Sequence, residues 1–202
     1  MSVIQSFKTY KMIKNIFNLG LVLFSSFVFA QVAIGKSSVS NNSVSLEFGD
    51  YVANQGKGII VPWVTSATTM TTAVPGTIVY DTSDKILKYK KPNNVWFNLS
   101  KNETATIGQQ SVNTTGVVNT SLQDNYNGNP INDQTNAKTS IGRESTTPGI
   151  LVLEDNDKAM ILPKVPSPHL NIKNPEPGLM VFDTTTKQLA VFNGKVWSFW
   201  KP

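Results

Sequence analysis

The sequence has no cysteine and a single histidine, His169, among 202 residues. Without thiols there is no disulfide staple, thiolate metal site, cysteine nucleophile or lipid-modified N-terminal cysteine. One histidine cannot assemble a zinc site, which takes three or four N, S or O ligands, unless carboxylates supply the rest. Charge is scarce as well. Asp, Glu, Lys and Arg make up 15% of residues, against about 25% in an ordinary globular chain. The formal +5 rests on Lys8, Lys11 and Lys14, because residues 31–202 carry fifteen cations against thirteen acids. A balance so near neutral argues against nucleic acid as a partner. Apolar residues reach 40%, and Asn, Thr, Ser and Gly fill the gap, a composition for strands and turns more than for helices.

Long hydrophobic runs are absent beyond residue 30, so no membrane span is expected there. Before it, a lysine-bearing stretch without acids leads into Ile16–Ala30, an apolar run of fifteen residues closing on Val28-x-Ala30. That run is short for a hydrocarbon core of about 30 Å, and Asn18, Gly20, Ser25 and Ser26 dilute it as a permanent anchor. The positive, apolar and small-residue regions follow the order of a secretory signal peptide over residues 1–30, cleaved before Gln31. The expected location is secreted or cell-surface, with the periplasm as an alternative. No disulfides are needed there, since an oxidising compartment only permits them.

What is abundant is self-similarity. Val32-Ala-Ile-Gly-Lys36 and Ser43-Val-Ser-Leu-Glu47 recur as Thr139-Ser-Ile-Gly-Arg143 and Ile150-Leu-Val-Leu-Glu154. Lys57-Gly-Ile-Ile-Val-Pro62 recurs as Lys158-Ala-Met-Ile-Leu-Pro163. Pro75-Gly-Thr-Ile-Val-Tyr-Asp-Thr-Ser-Asp-Lys-Ile-Leu87 recurs as Pro177-Gly-Leu-Met-Val-Phe-Asp-Thr-Thr-Thr-Lys-Gln-Leu189. Each copy closes on an aromatic strand, at Trp96 and Trp197. The division that follows is a first repeat over 31–100, an Asn/Thr-rich polar linker over 101–137 and a second repeat over 138–202.

Each Pro-Gly launches a strand, and Asp81 and Asp183 end it as turn formers whose carboxylates accept backbone N–H groups two residues on. A second strand follows. In the second copy Asn193-Gly194 then signals a two-residue type I′ hairpin, where the first copy has the longer Lys91-Pro-Asn-Asn94. The third strand carries Trp96 or Trp197, expected as core. Pro62 and Pro163 interrupt the strands upstream and mark them as edges. The fold class is therefore all-β: two repeated small antiparallel β-meander modules joined by a polar linker, after a cleaved signal peptide. A unit of about 65 residues has a thin core, so the copies are expected to pack on each other or to bury a face in an oligomer.

These blocks, with Ala30-Gln31, the Ile34-Gly35 opening and Asn193-Gly194 before Trp197, resemble secreted repeat proteins of Bacteroidota. They also resemble hairpin modules of phage tail-fibre and collar proteins. The resemblance covers most of residues 31–202. It implies a structural, adhesive or assembly role without catalytic residues or cofactors, and self-association, with a trimer as the state suggested.

Other chemistry is weighed on the same residues. His169 reads as a surface histidine, and no G-x-S-x-G elbow supports a serine triad. Glu154-Asp155-Asn156-Asp157 has the spacing of calcium-binding oxygens but lacks the glycine and distal glutamate of an EF-hand loop. Asp81 and Asp183 are better explained as turns than as a glycosidase pair, and Asp183-Thr184-Thr185 only echoes an O-glycosylation signal. Among the tryptophans, Trp63 has no aromatic counterpart and Trp200 lies near the end. Those two are the candidate contacts of an alternative function, carbohydrate binding.

Overall fold

The computed structural model describes residues 10–15, 31–107, 110–121, 137–143 and 145–201. Residues 1–30 and 31–202 form separate compact units. Residues 10–15 are helical; the proposed cleavage junction and the apolar run lie outside the described residues.

The first copy contains β1 (Val32–Ile34), β2 (Val44–Phe48), β3 (Ile59–Ile60), β4 (Trp63–Val64), β5 (Ile78–Asp81), β6 (Ile86–Lys90) and β7 (Trp96–Asn98). Then come β8 (Thr104–Ile107) and β9 (Gln110–Asn113). The second copy supplies β10 (Thr139–Gly142), β11 (Leu151–Glu154), β12 (Ala159–Ile161), β13 (Lys164–Val165), β14 (Leu179–Asp183), β15 (Gln188–Phe192) and β16 (Trp197–Trp200). The described residues beyond 30 are nearly all β, with single helical turns at Ala67–Thr69 and Pro168–Asn171.

The expected meanders are present in both copies. β5, β6 and β7 run antiparallel, as do β14, β15 and β16, with Tyr80 opposite Leu87 and Phe182 opposite Leu189. Each sheet gains a fourth, parallel edge strand, β4 beside β5 and β13 beside β14. The prolines stand just before these edges, where no ladder N–H is required. Their carbonyls are used instead: Pro62 O accepts from Tyr80 N and Pro163 O from Phe182 N, each at 2.9 Å.

The Asp turns also form as read. Asp81 Oδ1 accepts from Ser83 N at 3.0 Å, and Asp183 Oδ1 from Thr185 N at 2.9 Å. Each carboxylate reaches further, to the loop preceding the strand: Asp81 Oδ2 accepts from Ala67 N and Asp183 Oδ1 from Ser167 N, both at 2.9 Å. The Asn193-Gly194 turn departs from the expected geometry. A type I′ turn needs positive φ at both residues, and of the two only Gly194 has it, at 93°. Phe192 pairs with Trp197 across a four-residue loop, while the side chain of Asn193 points inward.

One of the two cores is shared between the copies; the other is built from second-copy residues with Tyr51 packed against it. One buried cluster joins Val61, Tyr80, Leu87 and Leu99 of the first copy to Met180 and Val191 of the second. The other gathers Val165, Ile172, Leu179, Val181, Ala190 and Phe192, with Trp197 packed against it. Strand β14 feeds both, because alternate side chains leave opposite faces: Met180 faces one cluster, Leu179 and Val181 the other. Each fully buried side chain of this size contributes about 1.5–3 kcal/mol, so neither module holds its full core alone. Trp96 lies outside both clusters. It is half-buried beneath the Lys90 ammonium, 4.6 Å from the ring centroid, a cation–π placement at the surface edge of the sheet.

The stretch read as an Asn/Thr-rich polar linker, 101–137, holds strands in its described part. β8 and β9 form an antiparallel hairpin, and residues 114–118 then thread between the modules. A Cβ on Gly116 would lie 2.2 Å from Asn193 O and 2.8 Å from Lys85 O; one on Gly194 would lie 1.9 Å from Val117 O. Such contacts with rigid backbone cannot be relieved by a rotamer change. Gly116→Ala is expected to lower stability by about 2–3 kcal/mol, seen as a lower urea midpoint with an unchanged slope.

Candidate functional site

The most highly constructed region is the junction between the two copies. Two long-range strand pairs build it. β12 of the second copy lies parallel to β2 of the first, with Met160 opposite Leu46 and Ile161 opposite Glu47. β3 of the first copy lies antiparallel to β14 of the second, with Ile60 opposite Leu179, and Val61 N donates to Gly178 O at 3.2 Å.

Side chains fasten this junction. The buried Tyr80 hydroxyl donates to Asn193 O at 2.9 Å. Asn193 is fully buried, and its amide is used completely: Nδ2 donates to Lys101 O (2.7 Å) and Thr114 O (2.8 Å), and Oδ1 accepts from Lys195 N (2.9 Å) and Val196 N (2.8 Å). Trp63 Nε1 donates to Pro177 O at 2.9 Å while its ring tilts against Tyr80, centroids 6.0 Å apart. Trp200 Nε1 donates to Leu99 O at 2.5 Å, and its ring meets Phe97 edge-on. The two tryptophans singled out as ligand contacts thus both bridge the copies with their indole N–H groups. Trp200 keeps 38% of its surface exposed.

The electrostatics of the turns differ between copies. Burial alone would raise the Asp81 carboxyl, but the Lys88 ammonium at 2.8 Å, the Ser83 hydroxyl and two backbone N–H groups hold it down to about 2. Burial would likewise lower Lys88, yet its bonds to Asp81 and Asp84 leave it above its ordinary value. In the second copy Ala190 occupies the position of Lys88. There the burial of Asp183 is outweighed by the Thr186 hydroxyl and the N–H groups of Thr185 and Ser167, so its carboxyl is also lowered. Burial, helped by the charge on Asp84, pushes the Tyr80 phenol up. Glu47, buried on β2, is lowered first by the Lys36 ammonium at 2.9 Å, against its burial and with help from Ser40 N.

The remaining candidates stay apart. His169 is exposed on its helical turn, edge-on to Phe199 at 5.9 Å. Asp155 pairs with Lys158 at 2.9 Å and accepts from Asn156 N. Among the described residues no three His, Cys, Asp or Glu gather as metal ligands, and no helix is long and apolar enough to cross a membrane. Asp81 and Asp183 are each consumed by their own turn.

Residues 131–201 match the phage tail-like trimerisation region. The match covers the second copy almost entirely and supports the likeness to phage tail-fibre modules. The strand order and turn chemistry of the meander recur in the first copy, which the match does not cover. No curated protein and no solved structure matches the chain.

Proposed function

We propose that this is an exported, non-enzymatic structural protein that self-associates, as a trimer, through its doubled β-module. Its place is outside the inner membrane, secreted or on the cell surface with the periplasm as the alternative, in an adhesive or scaffolding role. The observation that carries the reading is the match of residues 131–201 to a trimerisation region, on a fold whose polar side chains are spent on joining strands. The pattern of residues 1–30 and the Ala30-Gln31 junction support export and the kinship with secreted repeat proteins of Bacteroidota. Light scattering on residues 31–202 is expected to give three times the monomer mass at micromolar concentration. A monomer at every concentration would remove the reading.

A glycan-binding role is favoured by one observation, the partly exposed ring of Trp200 on the last strand. A glycan array probed with the chain and with Trp200→Ala tests it: signal that is absent, or unchanged by the substitution, rejects it.

A further inference from the structure

The junction inside the chain is only half of a reciprocal pattern. The repeat makes β11 the counterpart of β2 and β3 the counterpart of β12, aligning Leu153 with Leu46 and Ile59 with Met160. In the first copy β2 has a neighbour on each edge, β1 and β12. In the second copy β11 pairs, among the described residues, only with β10. The consequence is visible in burial: Val44 on β2 is 3% exposed, whereas its counterpart Leu151 is 45% exposed and Ile150 beside it 60%. The donor strand β3 is open as well, with Ile60 50% exposed.

Charge repeats the asymmetry. Glu47 on β2 is buried against Lys36 at 2.9 Å. The corresponding residues Glu154 and Arg143 are present and oppositely charged, but both are exposed. Beyond β11, across a cleft, stands the Val74–Thr77 edge that leads into β5. In the second copy the matching edge at Gly178 and Leu179 is covered by Val61 and Ile60; in the first, β5 pairs, among the described residues, only with β4 and β6.

Resting on the self-association proposed above, we infer that the open edge of β11 takes the β3 strand of a second copy of this chain. The strands run parallel, with Ile59 opposite Leu153, while β12 of the first chain covers the Thr77–Ile78 edge of the second. Each contact repeats between chains a pairing already made within one chain, so the complementarity is in the sequence. It covers Ile60 and Leu151, and brings Glu154 and Arg143 into the covered state of Glu47 and Lys36. Because donor and acceptor are different surfaces, the interface is head-to-tail, and such interfaces end in a closed ring when the rotation permits. Unsatisfied strand edges are the surfaces that capture further strands, and here the captured strand is specified by the repeat.

The absence of native cysteine makes the register directly testable. Full-length chain carrying Ile59→Cys and Leu153→Cys is oxidised and run on non-reducing gels, with the in-chain equivalent Leu46→Cys/Met160→Cys as geometric control. The double variant is expected to give covalent dimers and trimers that disappear on reduction, and the control an intrachain bond detected by mass. If the control links while Ile59→Cys/Leu153→Cys gives only an intrachain bond or none, and light scattering still shows the oligomer, the interface lies elsewhere and the inference falls. A monomer in light scattering would instead overturn the assembly reading itself. As a variant at an exposed position, Ile60→Lys is expected to keep the circular dichroism of the parent and to move assembly to at least tenfold higher concentration. Unchanged assembly of that variant also sinks the inference.

Discussion

Asn193→Leu is expected to lower stability by about 3–5 kcal/mol, which for a chain of this size shifts the thermal midpoint by roughly 10 °C. The residue is fully buried, and its amide satisfies the carbonyls of Lys101 and Thr114 and the N–H groups of Lys195 and Val196. Leucine keeps the branching of asparagine but replaces the amide atoms with larger methyl groups, so the hydrogen bonds are lost and crowding adds to that loss. A buried backbone group left without a partner costs about 1–3 kcal/mol, and these four, partly to fully buried, do not add fully, because both segments relax. The two acceptors, Lys101 O and Thr114 O, belong to the segment threaded between the copies, so the variant should also loosen residues 101–118. Hydrogen exchange reads that directly. Lys91, at the same place in the first copy, is exposed, and Lys91→Ala is expected to stay within about 0.5 kcal/mol. Comparable losses from the two variants would show that the buried amide is not the anchor described.

Lys88→Met is expected to cost about 3–5 kcal/mol, because it strips the buried Asp81 carboxylate of its cation. Asp81→Asn combined with Lys88→Met should recover part of that loss, since no uncompensated charge then remains. Urea melts of the two single variants and the double variant give the coupling energy; strict additivity would contradict the pairing. The pH profile follows from the same group. Asp81 titrates near 2 when folded and near 3.8 ordinarily. Its contribution is therefore complete above the unfolded value and is lost as the pH falls from about 5 towards 2. Asp183 and Glu47 are lowered in the same direction and steepen that acid loss. Lys88 is raised, so its contribution is present below its ordinary value of 10.5 and fades as the pH climbs beyond it. A thermal midpoint that stays flat between pH 5 and 2 would contradict these assignments.

The meanders were legible because their signals are local. Pro-Gly before a β-branched run, Asp at its end and an aromatic closing strand each act within a few residues, and the duplication says them twice. Asn193-Gly194 shows the limit of such reading. The dipeptide suits a type I′ turn, but the same asparagine can gain more by turning its amide into a buried junction, and no local pattern separates the two outcomes. Trp96 and Trp197 were equivalent in sequence yet sit differently, because the loop before Trp96 is longer and the Lys90 ammonium covers its ring. The segment 114–118 is short and aperiodic, and only Val117-Val118 and Gly116, whose missing side chain admits two backbones, hinted that it packs.

Sequence alone determined the doubled all-β module, its turns and its edge prolines, since these follow from backbone sterics and short-range hydrogen bonding. Tertiary structure alone decided that β12 joins β2 and that β3 joins β14. Pairings between residues about a hundred positions apart depend on which edges remain open after local folding, and no periodicity along the chain records that.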